Sequence, residues 1–297
     1  MKDKEFFWKP FSRVLIFMSA ARLFNLGILI FMGKQPALEF LGAYLIEFSL
    51  SMDNLFVFIT IFTAFGISEH AEHRVLTYGI AGAIVLRLLF IALGVKVIEH
   101  FEFILYIFGV ILLINGLKMC VGKEKEKNPQ DSPIVKILGK VMKITPDFVG
   151  EKFFVKENKI LYATPLFAVL LVIEFTDILF AIDSIPAVFS VTTNVFIAYT
   201  SNIFAILGLR QLYFVLLHLQ ERFIYVKYGV GIILAFTGVK LGILAFDIHI
   251  SIPVSIGVII TVMTVSIIAS IIVSGRRAKR ELDKIPEVDT SLEEGNK

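Results

Sequence analysis

The chain has 297 residues, of which 57% are hydrophobic and 19% charged, and its formal net charge is +3. Soluble domains of this length carry more charge and shorter apolar runs, so the composition excludes a soluble protein. The basic residues are concentrated in a few short segments, which indicates membrane topology rather than a nucleic-acid-binding surface. A single cysteine, Cys120, excludes an intramolecular disulfide and a thiolate cluster.

Apolar runs of about 20 residues, the length that crosses roughly 30 Å of hydrocarbon, recur along the chain. They predict eight transmembrane helices, and we therefore expect an all-α polytopic membrane protein with a transmembrane domain over residues 1–274. The approximate ranges are 11–33, 40–65, 75–97, 101–120, 161–187, 194–219, 224–246 and 252–274.

The polar segment 121–160 and the tail 275–297 are rich in basic residues, whereas the loops near 188–193 and 247–251 contain no Lys or Arg. With eight spans, the positive-inside rule places both termini and the polar segment in the cytoplasm. Seven or nine spans would leave one basic end outside. A short amphipathic helix is predicted at Ile134–Met142. The whole polar segment 121–160 is a candidate docking site for a soluble protein.

Two parts of the chain carry polar residues in the same order. Each part has two acids six residues apart, then an arginine, and then four further matched residues. The first set is Glu47, Asp53, Arg87, Glu99, Tyr106, Gly116 and Lys118, and the second is Asp177, Asp183, Arg210, Glu221, Tyr228, Gly238 and Lys240. The matches predict that a three-helix unit at about 40–120 is repeated, upside down, at about 161–246. Many secondary transporters have this plan, with the substrate site where the repeats meet. The alternative is a divergent duplication without a transport role.

Acidic residues inside predicted spans are the strongest functional signal in the sequence. An ionised acid at the centre of a membrane helix costs about 2.5–3.5 kcal/mol on insertion scales. Arg87 and Arg210 can serve as internal counter-charges for two acids at most, and alternatively they snorkel or cap helix ends. The others require a bound cation or must hold protons, although any single acid could also be a buried salt bridge. The five acids are Glu47, Asp53, Glu174, Asp177 and Asp183.

The spacing of the acids bears on how they meet. Asp177 and Asp183 are about 240° apart on a regular helix, so a continuous helix would not direct both to one site. Pro186 follows them, and a proline inside a helix removes one backbone hydrogen bond. We therefore predict a discontinuous helix at this proline, which would bring Asp183 and Ser184 toward Asp177. In the first repeat Asn54 and its neighbours would play a similar part without a proline.

Oxygen is the only donor type that the candidate site offers, because the histidines fall at span ends or in loops. Oxygen ligands favour Mn²⁺, Ca²⁺ or Mg²⁺ over Zn²⁺ or Cu⁺, and the donor set leaves the choice among the first three open. We find no nucleophile–base pair, phosphate loop or signature of an organic cofactor, and expect no enzyme.

Three blocks of the sequence resemble the signature blocks of the TerC family, integral membrane proteins named for tellurium resistance. They are EFSLSMDNLFVF at Glu47–Phe58, EFTDILFAIDSIPAVF at Glu174–Phe189 and YTSNIFAILGLR at Tyr199–Arg210. The similarity runs from about residue 40 to 245. It implies a member of the LysE-type transporter superfamily in the bacterial cytoplasmic membrane and, as in several members, export of Mn²⁺.

The resemblance also implies which residues bind the metal. Many relatives carry an aspartate in the first helix where this chain has Asn25, which argues against a proton-coupling role for that helix. We expect a cation exporter with proton exchange as a hypothesis. The alternative is a membrane scaffold, assembly or metal-stress factor whose metal is structural or regulatory. The implied metal-binding residues are Glu47, Asp53, Asn54, Glu174, Asp177, Asp183 and Ser184.

Overall fold

The computed structural model describes residues 2–101, 103–121, 133–157, 160–217 and 225–282. Within these ranges, the side chains of residues 2–10, 53, 69, 133–134, 136, 157 and 275–282 are not described. Four parts of the sequence predictions therefore lie outside the description: the side chain of Asp53, the repeat residue Glu221, residues 122–132 of the polar segment, and the end of the basic tail.

The described residues form nine α-helices, and eight of them are long and apolar enough to cross a membrane. The eight are all but α5, which confirms the all-α polytopic fold predicted from hydropathy. The helices are α1 (Lys2–Met32), α2 (Lys34–Phe65), α3 (Glu69–His100), α4 (Phe103–Val121), α5 (Pro133–Val141), α6 (Pro165–Phe189), α7 (Val195–Leu217), α8 (Val226–Ile243) and α9 (Ile252–Leu282).

Local sequence signals account for several helix ends. Gly33, with φ of 94°, separates α1 from α2, and Gly66, with φ of 63°, ends α2 in the left-handed conformation that glycine adopts without strain. Asn194 begins α7, because its Oδ1 accepts a hydrogen bond from the backbone N–H of Phe196 at 3.0 Å. The connection between α1 and α2 consists of Gly33 alone. The helix α2 therefore begins at Lys34, six residues before the predicted start.

The discontinuous helix predicted at Pro186 is not observed. The helix α6 runs without interruption from Pro165 to Phe189, and α2 is continuous as well. Pro186 lies three residues before the end of α6, so its missing N–H removes only the bond to the carbonyl of Ile182, and the earlier turns remain intact. Asp177 and Asp183 therefore keep the angular separation that six residues give on a regular helix.

The helix contacts follow the repeat predicted from the sequence. The helix α2 packs against α7 as α6 packs against α3, and α2 contacts α8 as α6 contacts α4. Because α2 is the second span and α6 the fifth, the two cross the membrane in opposite directions. The packing is therefore the kind expected if α6–α8 were an inverted copy of α2–α4.

The helices α4 and α8 lie close together along matching glycines. A Cβ atom added to Gly116 would come within 2.5 Å of the backbone N of Ala235, and one added to Gly238 would come within 2.5 Å of the backbone N of Leu113. Glycine at these positions lets the two backbones approach each other, as small residues do at membrane helix interfaces.

The segment between α4 and α6 folds against one end of the bundle. The predicted amphipathic helix is present as α5, and an unpredicted antiparallel hairpin follows, β1 (Phe154–Glu157) with β2 (Ile160–Ala163). The guanidinium of Arg74 on α3 lies 5.3 Å from the ring centroid of Phe153, which ties the hairpin to the start of α3. We call this end of the bundle, where α2 ends and α3 and α6 begin, the loop face, and the other end the opposite face.

Candidate functional site

A buried arginine joins three helices in the middle of the bundle. Arg87 on α3 is 1% exposed. Its Nε and Nη2 donate to Oδ2 and Oδ1 of Asp177 on α6 at 3.3 and 3.1 Å, and its Nη1 donates to Oε1 of Glu47 on α2. The planar guanidinium suits this bidentate contact with the carboxylate of Asp177, which a lysine could not reproduce.

Polar side chains complete the hydrogen bonding around the ion pairs. Asn202 on α7 donates from Nδ2 to Oε2 of Glu47 at 2.9 Å and accepts from Nη1 of Arg87 at 3.1 Å. Ser51 donates to Oε1 of Glu47 at 2.8 Å, and the Oγ of Ser184 lies 3.5 Å from Nη1 of Arg87. All of these side chains are buried, so their mutual contacts replace water. We call the set the Arg87 cluster: Glu47, Ser51, Arg87, Asp177, Ser184 and Asn202.

A second carboxylate lies one helical turn from Asp177 but outside this network. The Oε2 of Glu174 is buried and has no hydrogen-bond partner in the described part of the chain. The carboxyl group occupies space left by Gly82 on α3, since a Cβ atom there would lie 2.1 Å from Oε1 of Glu174. Glu174 is therefore a partly buried carboxylate with free capacity to bind a cation or hold a proton.

Two small cavities adjoin the Arg87 cluster. Each has a volume of about 50 Å³, enough for a water molecule or a small ion. Glu174 and Asp177 line the first, and Asn54, Asp177 and Arg210 line part of the second, whose wall also includes Ser51 and Arg87. The cavities thus bring free and paired carboxylates next to further oxygen donors.

The cavities lie between the cluster and the loop face. The lining residues Leu76 and Ile80 precede Arg87 on α3, and Glu174 precedes Asp177 on α6. Both helices begin at the loop face. The two cavities that border the Arg87 cluster therefore lie on its loop-face side, while a larger apolar cavity of about 250 Å³ lies between α3, α4 and α6 toward the opposite face.

Aromatic side chains fill the bundle on the other side of the cluster. The ring centroid of Phe24 on α1 lies 5.5 Å from that of Phe40 on α2 and 4.9 Å from that of Phe204 on α7. Phe40 and the buried Tyr44 precede Glu47 on α2, which begins at the opposite face. Apolar packing thus separates Glu47 from that face, whereas cavities adjoin the cluster on the loop-face side.

The structure brings together only part of the candidate set predicted from the sequence. Glu47, Asp177, Ser184 and Arg87 meet in the cluster, and three further candidates border the cavities: Asn54, Glu174 and Arg210. Within the described residues, no three Asp, Glu, His or Cys side chains form a group that could hold a metal ion. The guanidinium of Arg87 stands between Glu47 and Asp177 and keeps these two carboxylates from sharing an ion directly.

Asp183 lies apart from the cluster. Its Oδ1 accepts a hydrogen bond from Nδ2 of Asn115 on α4 at 2.8 Å, and it faces away from Asp177 because α6 is continuous. Asn25 on α1 has a buried Oδ1 that has no hydrogen-bond partner among the described atoms. The side chain of Asp53, on α2, is not described.

Sequence reasoning missed the roles of Asn202, Asn115 and Gly82. Asn202 and Asn115 are polar residues inside apolar spans, and that position was a usable signal, since such side chains bond across helices. Gly82 gave no such signal, because the need for a glycine depends on how α6 is rotated against α3.

Comparison with known proteins adds the family. A 46% identical relative from Salmonella typhi is named "Putative membrane-bound redox modulator Alx"; the alignment spans 244 residues, 82% of this chain and 76% of that protein. A protein of the same name from Photorhabdus laumondii is 43% identical over 272 residues, 89% of this chain and 85% of the relative. A membrane protein of Myxococcus xanthus is 42% identical over 268 residues, 90% of this chain and 84% of the relative.

No solved structure matches the chain. The model of the integral membrane protein TerC family matches residues 32–278, a range that contains every residue of the Arg87 cluster and both cavities. The chain is thus a bacterial-type multi-pass membrane protein, and it belongs to the TerC family.

Proposed function

We propose that the protein exports a hard divalent cation, Mn²⁺ in the first place, across the bacterial cytoplasmic membrane by alternating access. The loop face would then be the cytoplasmic side, as the basic residues of the loop segment and tail predict. The chain itself would act as a transporter and not as an enzyme.

The observation that supports this proposal most is that Glu174 and Asp183 lie inside spans without an ion-pair partner in the described residues. Four of the five acids predicted as site residues have described side chains, and Arg87 is the one cation that forms an ion pair with any of these four in the described residues. Arg87 balances one of the four charges, and neither Arg210 nor the buried Lys240 forms an ion pair with these acids in the described residues. A bound cation or protons must offset the remaining charge. The four acids are Glu47, Glu174, Asp177 and Asp183.

The cation would enter from the loop face. Glu174, with its free carboxylate oxygen, and Asp177 border the same cavity and would be met first, and the amide oxygen of Asn54 in the adjoining cavity offers a further ligand. These donors suit Mn²⁺, Mg²⁺ and Ca²⁺. Any acid that holds a proton must release it to bind the metal, so cation movement would be linked to protons.

The name of the relatives refers to redox control. A dithiol–disulfide couple within one chain needs two cysteines, and this chain has only Cys120. We therefore assign no redox step to the chain, and the proposal rests on cation movement.

Ion flux into vesicles tests the proposal. Purified protein in sealed vesicles should move ⁵⁴Mn²⁺, and Glu174→Gln should slow the flux at least tenfold while Asp147→Asn, in the exposed loop segment, leaves it unchanged. Parallel runs with Ca²⁺ and Mg²⁺ give the selectivity. If none of the three ions moves although Mn²⁺ still binds and stabilises the protein, a scaffold with a structural metal replaces the transporter.

A further inference from the structure

The two arginines predicted as equivalent counter-charges lie in different surroundings. Arg87 is buried, and both of its carboxylate partners are within bonding distance. Arg210 on α7 is partly exposed; its Nη2 donates to Oγ1 of Thr77 at 2.7 Å, and its Nε is buried without a hydrogen-bond partner in the described ranges. One arginine is thus fully engaged, and the other holds an unused donor.

Arg210 nevertheless borders the cavity that reaches Asp177. The same cavity is lined by Asn54 on α2. A guanidinium with one buried, unpaired N–H, next to a space that ends at a carboxylate, is a group placed to move toward that carboxylate.

The repeat tells which contacts such a movement would make. The 130 residues that separate Glu47 from Asp177 also separate Asn54 from Ser184. Exchanging the two repeats therefore converts three of the four partners of Arg87, namely Asp177, Glu47 and Ser184, into Glu47, Asp177 and Asn54 as partners of Arg210; the fourth, Asn202, has a glycine, Gly79, at the equivalent position. Two of these three, Asp177 and Asn54, already share the cavity with Arg210.

We propose that Arg210 is the second counter-ion of the carboxylate pair, which it takes over from Arg87 when the site turns from the loop face to the opposite face. Arg87 holds Glu47 and Asp177 while the cavities lie on the loop-face side, and Arg210 holds them while the equivalent space opens on the other side. The exchange keeps one guanidinium on two carboxylates throughout, so the buried charge does not change between the two states. It rests on the alternating access proposed above.

Labelling of cysteines in the two repeats tests the exchange without measuring flux. Ile80 lines both cavities, and Ile203 follows it by the same 123 residues that separate Arg87 from Arg210. In a Cys120→Ser background, Ile80→Cys should react with a membrane-impermeant thiosulfonate from the loop face, and Ile203→Cys from the opposite face.

Lysine variants shift the balance, because lysine keeps the charge but loses the two-pronged contact. Arg87→Lys should raise the rate at Ile203→Cys and lower the rate at Ile80→Cys, each about fivefold, and Arg210→Lys should do the reverse. Both variants retain a positive charge, so both are expected to fold.

The proposal is overturned if Arg210→Lys leaves both rates within twofold of the parent, or if Ile203→Cys stays unreactive in the parent and in Arg87→Lys. Opposite shifts in the two variants together with no ion flux would keep the exchange and remove the proposed cargo. Flux of Mn²⁺ with unshifted labelling would keep the cargo and remove the exchange.

Discussion

The two three-helix halves of the bundle agree in one region and differ in another. Where α4 meets α8, the halves are alike, since Gly116 and Gly238 bring the backbones equally close from both sides. Where the acids lie, the halves differ: Arg87 is enclosed by carboxylates, and Arg210 donates to Thr77 beside a cavity. The close α4–α8 contact is therefore expected to stay the same in every state of the protein. The different surroundings of the two arginines are expected if the structure shows one of two states of a site that both halves share.

The largest expected effect separates the two arginines. Arg87→Gln removes the cation with which both Glu47 and Asp177 pair in this state, so it should lower the free energy of unfolding by about 3–5 kcal/mol. Arg210→Gln should lower it by less than about 1 kcal/mol, as for partly exposed charges. Denaturant unfolding in detergent measures both. Combining Arg87→Gln with Glu47→Gln and Asp177→Asn should recover most of the loss, and equal costs for the two arginine variants would contradict the comparison.

The second-largest loss of stability is expected at the close contact between α4 and α8, where Gly116 and Gly238 lie. Gly116→Ala and Gly238→Ala each force a methyl group against the facing backbone, and each should cost about 2–3 kcal/mol, the upper range for overpacking. Gly242→Ala, where an added Cβ meets nothing within 4 Å, should be neutral or slightly stabilising because alanine favours helix. Thermal unfolding of the three variants compares their stabilities. If Gly116→Ala or Gly238→Ala is as stable as Gly242→Ala, the backbones of α4 and α8 do not approach closely at that glycine.

A smaller effect is expected where α3 makes room for Glu174. Gly82→Ala displaces the carboxyl group and should weaken Mn²⁺ binding about tenfold, or about 1.4 kcal/mol. Gly27→Ala on α1 is the control, since a Cβ atom added there meets nothing within 4 Å and Gly27 lines neither cavity. Isothermal titration with Mn²⁺ distinguishes them, and equal affinities for the two alanine variants would show that the position of Glu174 does not matter for binding.

The smallest effect is expected for Asp183, which lies apart from both the Arg87 cluster and the cavities that adjoin it. Asn115→Leu removes the amide that donates to Asp183 and should cost about 0.5–1 kcal/mol of stability, because one partly buried carboxylate loses a donor. Mn²⁺ affinity should stay within twofold of the wild type. A tenfold loss of affinity would place Asp183 and its partner at the metal after all.

The sequence allowed the spans to be predicted because crossing a membrane needs long apolar runs, and these are visible without a structure. The buried acids and arginines were visible for the related reason that charge in such runs is costly. The partners of each acid were harder to predict from the sequence. Asn202, for example, donates to Glu47 from α7, five helices further along the chain, and no local pattern indicates that contact. The expected union of Asp177 with Asp183 depended on a break at Pro186, and a proline so near a helix end does not produce one.

The most direct test of the central claim is to measure Mn²⁺ binding to the purified protein. The decrease in the electron paramagnetic resonance signal of free Mn²⁺ reports the bound fraction. Asp177 lines both cavities and pairs with Arg87, so a folded Asp177→Asn variant should bind Mn²⁺ at least tenfold more weakly than the wild type, with Asp147→Asn unchanged. Wild-type affinity in folded Asp177→Asn would contradict the account and move the cation away from the carboxylates of the Arg87 cluster.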